Sequence, residues 1–161
     1  MIHNAKEFNN LFMKKFIIII KIFFIYLFIT SVGLSKESNY LKKGIEHFKK
    51  KEFDKSKILF EKDIVFNPKS EKSYLYLAKI FNSNENDLEE EINLNSVLLL
   101  NPKNEEAIYM LVILKIKQSD YNQAKELLDR FDLACQSLCS KKKDIKEKFD
   151  KINTENAKSN N

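Results

Sequence analysis

Apolar residues recur along this chain at helical spacing and, on a longer scale, at one fixed interval. Asn67-Pro68 and Asn101-Pro102 lie 34 apart, and each pair closes a run of apolar residues. Stacking the sequence at that period puts Tyr40, Tyr74 and Ile108 in one column and Gly44, Ala78 and Val112 in another. Phe60, Leu94 and Leu128 form a third column, and Phe66, Leu100 and Ala134 a fourth. Large residues face large ones and small face small. Within a unit the positions follow helical spacing, as in Tyr40, Gly44, His47 and then Ser56, Phe60, Asp63, which predicts two short helices per unit. Helices are expected over 38–51 and 54–66, 71–83 and 87–100, 105–118 and 121–134. Small residues at Gly44 and Ala78 predict a close helix crossing. Asn-Pro ends the second helix of a unit because the residue before proline is pushed out of the α region. The units are about 37–70, 71–104 and 105–138; the third reaches Cys135-Gln136 without a proline, which predicts an irregular turn. A seventh helix over 141–153 places Ile145, Phe149 and Ile152 on one face beneath a charged one, as a terminal cap requires. The polar stretch 154–161 is expected to be disordered.

Composition agrees with an all-α class. Two Gly, two Pro and no Trp among 161 residues leave too few turn formers for a β-sandwich or barrel. The net charge of +5 belongs largely to the N-terminus: residues 1–35 hold Lys6, Lys14, Lys15 and Lys21 against Glu7, and the remainder is nearly neutral. Arg130 is its only arginine, so the guanidinium forks that read phosphates and base edges are scarce and nucleic acid is not an expected partner.

The N-terminal stretch has the order of a secretory signal: Lys14-Lys15, an apolar core from Phe16 to Ile29, then small residues around Ser31–Ser35. Met13 directly before the lysines is a plausible true start, and cleavage is expected after Ser35 or Gly33. The alternative is a retained anchor. Phe16 to Leu34 spans 19 residues, and at about 1.5 Å per residue that approaches the roughly 30 Å of a hydrocarbon core. The chain is thus divided into an N-terminal extension and signal or anchor over 1–35, a repeat domain over 36–153 and a tail over 154–161. Export to the periplasm or cell envelope is expected, with single-pass anchoring as the other reading.

The repeat resembles the tetratricopeptide family in its period and in its order of aromatic, Leu-Gly, aromatic, Ala, Phe and Pro positions. Tyr40, Gly44, Phe53, Phe60 and Pro68 carry the likeness in the first unit, and Tyr74, Leu77, Ala78, Phe81, Leu94 and Pro102 in the second. Leu111, Tyr121, Ala124 and Leu128 carry it in the third, while Lys43, His47, Lys115 and Glu90 depart from it. The resemblance implies an α-solenoid of three helix-turn-helix repeats plus a cap, acting without catalysis or cofactor as a binder of a protein or peptide. It also implies a groove lined by the first helices, near Leu41, Lys42, Ile45, Leu75, Tyr76, Lys79, Tyr109 and Ile113, with Phe48 and Ile116 divided between packing and binding. Members that clamp chaperone C-termini place Lys, Asn and Arg at such sites; Leu41, Ile45 and Tyr76 here favour an apolar segment or amphipathic helix instead. A holdase-like role and a homodimer through the same apolar face are the other readings.

Cys135 and Cys139 are the only cysteines. In an exported chain an even pair predicts a disulfide, here pinning the cap, with unpaired thiols as the alternative. No metal site is expected, since His47 has no companion ligands. Lys49-Lys50-Lys51 and Glu89-Glu90-Glu91 fall at a helix end and a helix start, where their charges suit the helix dipole.

Overall fold

The computed structural model describes residues 15–23 and 38–159, with side chains up to Ile152 in the last helix. The chain divides into two units, Met1–Lys36 and Glu37–Asn161. Of the first, residues 15–23 form a helix with exposed side chains. Met13, the part of the apolar segment after Phe23, and the Ser31–Ser35 cleavage region lie outside the described residues, as do the last two residues of the tail. Among the described residues no helix is both long and apolar enough to cross a membrane.

In the second unit, helices α1 (Asn39–Lys49) and α2 (Phe53–Phe66) form the first pair, and α3 (Glu71–Ser83) and α4 (Asp87–Leu100) the second. Helices α5 (Glu105–Lys117) and α6 (Tyr121–Ala134) form the third, followed by a 3-10 turn over Cys139–Lys141 and α7 (Lys142–Ser159). The second helix of every pair starts and stops at the same phase of the repeat. Side-chain oxygens of Ser38, Asn86, Asn104 and Asp120 cap α1, α4, α5 and α6 by accepting a first-turn amide N–H. The last helix continues past residue 153 to Ser159, where a disordered tail was expected. Residues 154–159 contain neither Gly nor Pro, so nothing local stops it.

The two kinds of turn are equally periodic. Asn67 (φ −136°, ψ 79°) and Asn101 (φ −139°, ψ 90°) hold the extended backbone that a following proline imposes. Cys135, one period later, is also extended (φ −62°, ψ 137°) without a proline, so the third pair ends in register rather than irregularly. Inside each pair the turn places one residue in the left-handed region: Lys51 (φ 59°), Glu85 (φ 55°) and Ser119 (φ 61°), again one period apart. Gly or Asn usually occupies such a position. Its absence hid this column from the sequence.

Columns of the repeat buried throughout include Gly44, Ala78, Val112; Ser56, Glu90, Ala124; Phe60, Leu94, Leu128; and Asp63, Val97, Phe131. Helix α3 joins two cores. Leu77 and Ile80 pack with Leu41 and Phe60 of the first pair, whereas Leu75 and Ala78 join the larger cluster that runs to Ile145 and Phe149 of α7. Ile145 and Phe149 are buried and Ile152 packs beside them, so α7 covers the end of the stack with the face its spacing predicted. The Phe66 column behaves differently: Phe66 is 72% exposed and Leu100 36%, because both sit at helix ends beyond the reach of the next unit.

The closest helix crossing is at Gly44. A Cβ there would lie 2.6 Å from Cε1 of Phe60, a ring with no exposed surface and therefore nowhere to move. Gly44→Ala is expected to destabilise the domain by about 1–3 kcal/mol, the usual cost of overpacking. A urea midpoint equal to that of the wild type would show that this crossing does not depend on glycine.

Candidate peptide-binding face and the junctions that position it

Helices α1, α3 and α5 lie side by side and present one face. The ring of Phe48 on α1 meets Tyr76 on α3 edge-on at 5.0 Å, and Lys79 on α3 pairs with Glu106 on α5 at 2.9 Å. Of the groove residues expected from the sequence, Leu41 and Leu75 are buried and belong to the two cores, so neither is open to a ligand. Ile116 is buried as well. Lys42 is exposed, and Ile45, Phe48, Tyr76, Lys79, Tyr109 and Ile113 are half-buried.

The rings of both tyrosines are engaged in packing. Tyr76 stacks on Phe60 at 5.0 Å, and Lys79 Nζ lies 5.0 Å from the centroid of the same tyrosine ring. Tyr109 tilts against Phe131 at 5.9 Å, with Lys141 Nζ 5.3 Å from its ring. The face therefore combines rigid rings, two aliphatic side chains and a lysine rim.

Polar junctions hold these helices in place. At the first junction Asp63, with no exposed surface, accepts from the hydroxyls of Ser70 and Ser73 at 2.5 Å each and from Ser38. Buried carboxylates persist only with such partners. The column that holds Asp63 continues as Val97 and Phe131, so one polar cluster here replaces apolar packing. Ser70 precedes α3, but its hydroxyl serves Asp63 and Ser73 instead of capping the helix.

At the second junction, Lys115 pairs with Glu91 and Lys117 with Asp87, both at 2.6 Å. The acidic run thus has three different roles: Glu91 bridges two repeats, whereas Glu90 is buried beside the Asn82 amide and Glu89 gives its backbone N–H to the Asn86 cap. Burial pushes the Glu90 carboxyl up, opposed by the Asn82 hydrogen bond. His47, which looked isolated, meets Glu52 at 2.5 Å.

Sequence reading missed a column of glutamates: Glu37, Glu71 and Glu105 recur at the repeat interval. Glu71 accepts from the side-chain amides of Asn101 and Asn104, fastening the Asn-Pro turn of its own repeat. Glu105 does the same job where the proline is missing. Gln136 has the amide N–H that proline lacks, and Glu105 accepts it at 2.6 Å, together with the Ser137 and Leu138 amides and the Ser137 hydroxyl. Cys135 and Cys139 flank this turn with Cα atoms 5.2 Å apart and their sulfurs at disulfide distance.

Solved structures share this architecture. The TPR2B domain of yeast Sti1, solved as a complex with pHsp70, superposes with a TM-score of 0.63 at 18% identity, covering 73% of this chain and 99% of that one. The fold is that of a tetratricopeptide repeat domain. The first TPR of Spaghetti (RPAP3), bound to an HSP90 peptide, gives 0.63 at 17% identity over 78% of this chain and 99% of that one. A chain of the CopN-Scc3 complex gives 0.60 at 16% identity over 73% and 78%. No protein-family model and no curated protein matches the sequence.

In the tetratricopeptide domain Glu105 is the junction most sensitive to acid. The Gln136 amide first, then the Ser137 hydroxyl, hold its carboxyl at about 2, below its usual 4.5. A depressed carboxylate contributes stability that is complete above the unfolded value and is lost as pH falls through the folded one. The wild type is expected to lose stability between pH 4.5 and about 2. Glu105→Gln should start less stable at neutral pH and lose less across that window. Urea titrations at stepped pH check this, and superimposable pH profiles for the two proteins would refute the role of Glu105.

Proposed function

We propose that this chain is a non-enzymatic scaffold of the cell envelope whose α1–α3–α5 face binds a peptide or helix of a protein partner. The observation that carries the reading is the tetratricopeptide fold, with half-buried Ile45, Phe48, Tyr76 and Ile113 along one face and exposed Lys42 at its rim. Apolar side chains already held by packing lose little entropy on binding, which favours an extended apolar segment or an amphipathic helix as ligand. Two of the similar structures carry chaperone-derived ligands, but half-buried Ile45 and Tyr76 give this face a different chemistry from a carboxylate clamp.

Placement in the envelope rests on Lys14-Lys15 and the apolar segment that follows, processed by cleavage or kept as an anchor. A disulfide between Cys135 and Cys139 belongs to the same reading, since an oxidising compartment would let the pair close and brace the turn before α7.

Photo-crosslinking in cells tests the face. A crosslinker replacing Lys42 or Ile113 is expected to yield one discrete adduct that the same group at Asn95, exposed on α4, does not give. Equal adducts from all three positions would refute the face. A smear of many chains from Lys42 and Ile113 would assign a holdase role instead.

A further inference from the structure

The two tyrosines of the candidate face are covered by lysines of different origin. Tyr76 receives Lys79 from its own helix, where the backbone fixes the spacing. One period after Lys79 the chain has Ile113. Tyr109 instead receives Lys141, whose Nζ stands over the ring 5.3 Å from its centroid and which belongs to the connection between α6 and α7. The state of that connection therefore decides whether the ring is covered.

Lys141 ends the 3-10 turn Cys139–Lys141. Before it, Glu105 holds the amides of residues 136–138, and after it Ile145 is the first residue of α7 buried in the core. Between these anchors the Lys141 N–H donates to the Leu138 carbonyl at 2.9 Å, and Lys142 pairs with Asp132. Both partners of that pair are exposed, so it is a weak tie. Cys139 adds a tie that can be made or broken chemically. Its sulfur lies at disulfide distance from Cys135, whose N–H bonds to the Phe131 carbonyl at the end of α6. The pair is only four residues apart, so closing it removes less chain entropy than a long-range bridge would. Cys139 is exposed, and exposed disulfides are the ones open to exchange.

We propose that Cys135 and Cys139 form a thiol–disulfide switch that sets whether Lys141 covers Tyr109 at the end of the α1–α3–α5 face. Closed, the bond holds the turn and keeps Lys141 over the ring; open, it releases Lys141 and lengthens the apolar face by one aromatic side chain. The oxidant is a disulfide-bearing thiol compound or protein. The Cys139 thiolate attacks that disulfide, giving a mixed disulfide and releasing one thiol; the Cys135 thiolate then attacks the Cys139 sulfur and releases the second. The two electrons lost by the cysteines reduce the donor disulfide, and their two protons end on the released thiols. A dithiol runs the same exchange backwards. The effect on binding rests on the reading of this face as a partner site, whereas the movement of Lys141 does not.

The lysines of the purified full chain are methylated reductively with carbon-13 formaldehyde, which keeps their charge. The chain is then oxidised with glutathione disulfide or reduced with a phosphine. In the oxidised chain the methyl signal that Lys141→Arg removes is expected upfield of the bulk lysine signal, shifted by the Tyr109 ring. Reduction should return it to the bulk, and Tyr109→Leu should do so without reduction. The signal that Lys79→Arg removes should keep its position in both states, because Tyr76 and Lys79 share a helix. A Lys141 signal unchanged by reduction would overturn the switch, as would two thiols that glutathione disulfide leaves free. Loss of helical circular dichroism on reduction would overturn it too and make the bond a brace of α7. In cells, a photo-crosslinker at Ile113, one turn from Tyr109, is expected to give about two- to fivefold more adduct in Cys135→Ser/Cys139→Ser than with both cysteines present, the equivalent of one exposed cation–π contact. Equal adducts would overturn the regulation of the face. No adduct from either chain, with a Lys141 signal that still follows redox state, would refute the binding face and uphold the switch.

Discussion

A single pair of short helices has too little interior to hide both of its apolar faces, so each pair is stable only against a neighbour held at fixed register. That constraint accounts for most of the architecture. Phe60, Leu94 and Leu128 occupy one phase of the period and are all buried, each contributing on the order of 1.5–3 kcal/mol. Gly44 is small because Phe60 lies against its helix. Helix α3 shares its residues between two cores and transmits the register from the first pair to the rest. The same constraint demands an ending, which α7 provides by covering the last pair with Ile145 and Phe149.

Register is also fixed by polar contacts at the turns, where apolar packing is thinnest. Asp63 gathers three serine hydroxyls at the first junction. Glu71 holds the turn at Asn101, and Glu105 holds the one at Gln136. The exposed ion pairs Lys117–Asp87 and Lys142–Asp132 add little, because water screens both partners and ordering two long side chains costs entropy. The difference is one of alternatives: an exposed pair can return to water, whereas a buried carboxylate such as Asp63 without its partners cannot be cheaply resolvated.

The helices and their phase were legible because proline, glycine and large apolar residues act through local sterics and burial, which periodicity records directly. Asn67, Asn101 and the Gly44 column announce themselves in this way. Other features were not legible because they depend on pairing between side chains that are distant in sequence. Nothing in the composition of Glu89-Glu90-Glu91 says that one carboxylate is buried and the next bridges to Lys115. The left-handed turn residues Lys51, Glu85 and Ser119 carry no glycine signal. On the candidate face, family position pointed to the first helices, but Leu41 and Leu75 turned inward because each pair needs them for its own core. The glutamate column and the exposed positions Val65, Leu99 and Leu133 recur at the same period as the apolar columns. They went unread because only core-forming residue types were aligned.

The proposed binding face follows from the same register, which sets packed rings and lysines side by side on the first helices. Its third helix, α5, keeps that register only if the third repeat closes as the others do, and Glu105 holds that closure. Native-state hydrogen exchange resolved at single amides measures it most directly. The amides of Gln136, Ser137 and Leu138, which follow the end of α6, are predicted to exchange as slowly as the Cys135 amide that bonds to Phe131. Exchange of these three at the rate of an unstructured peptide, with Cys135 still protected, would contradict the account.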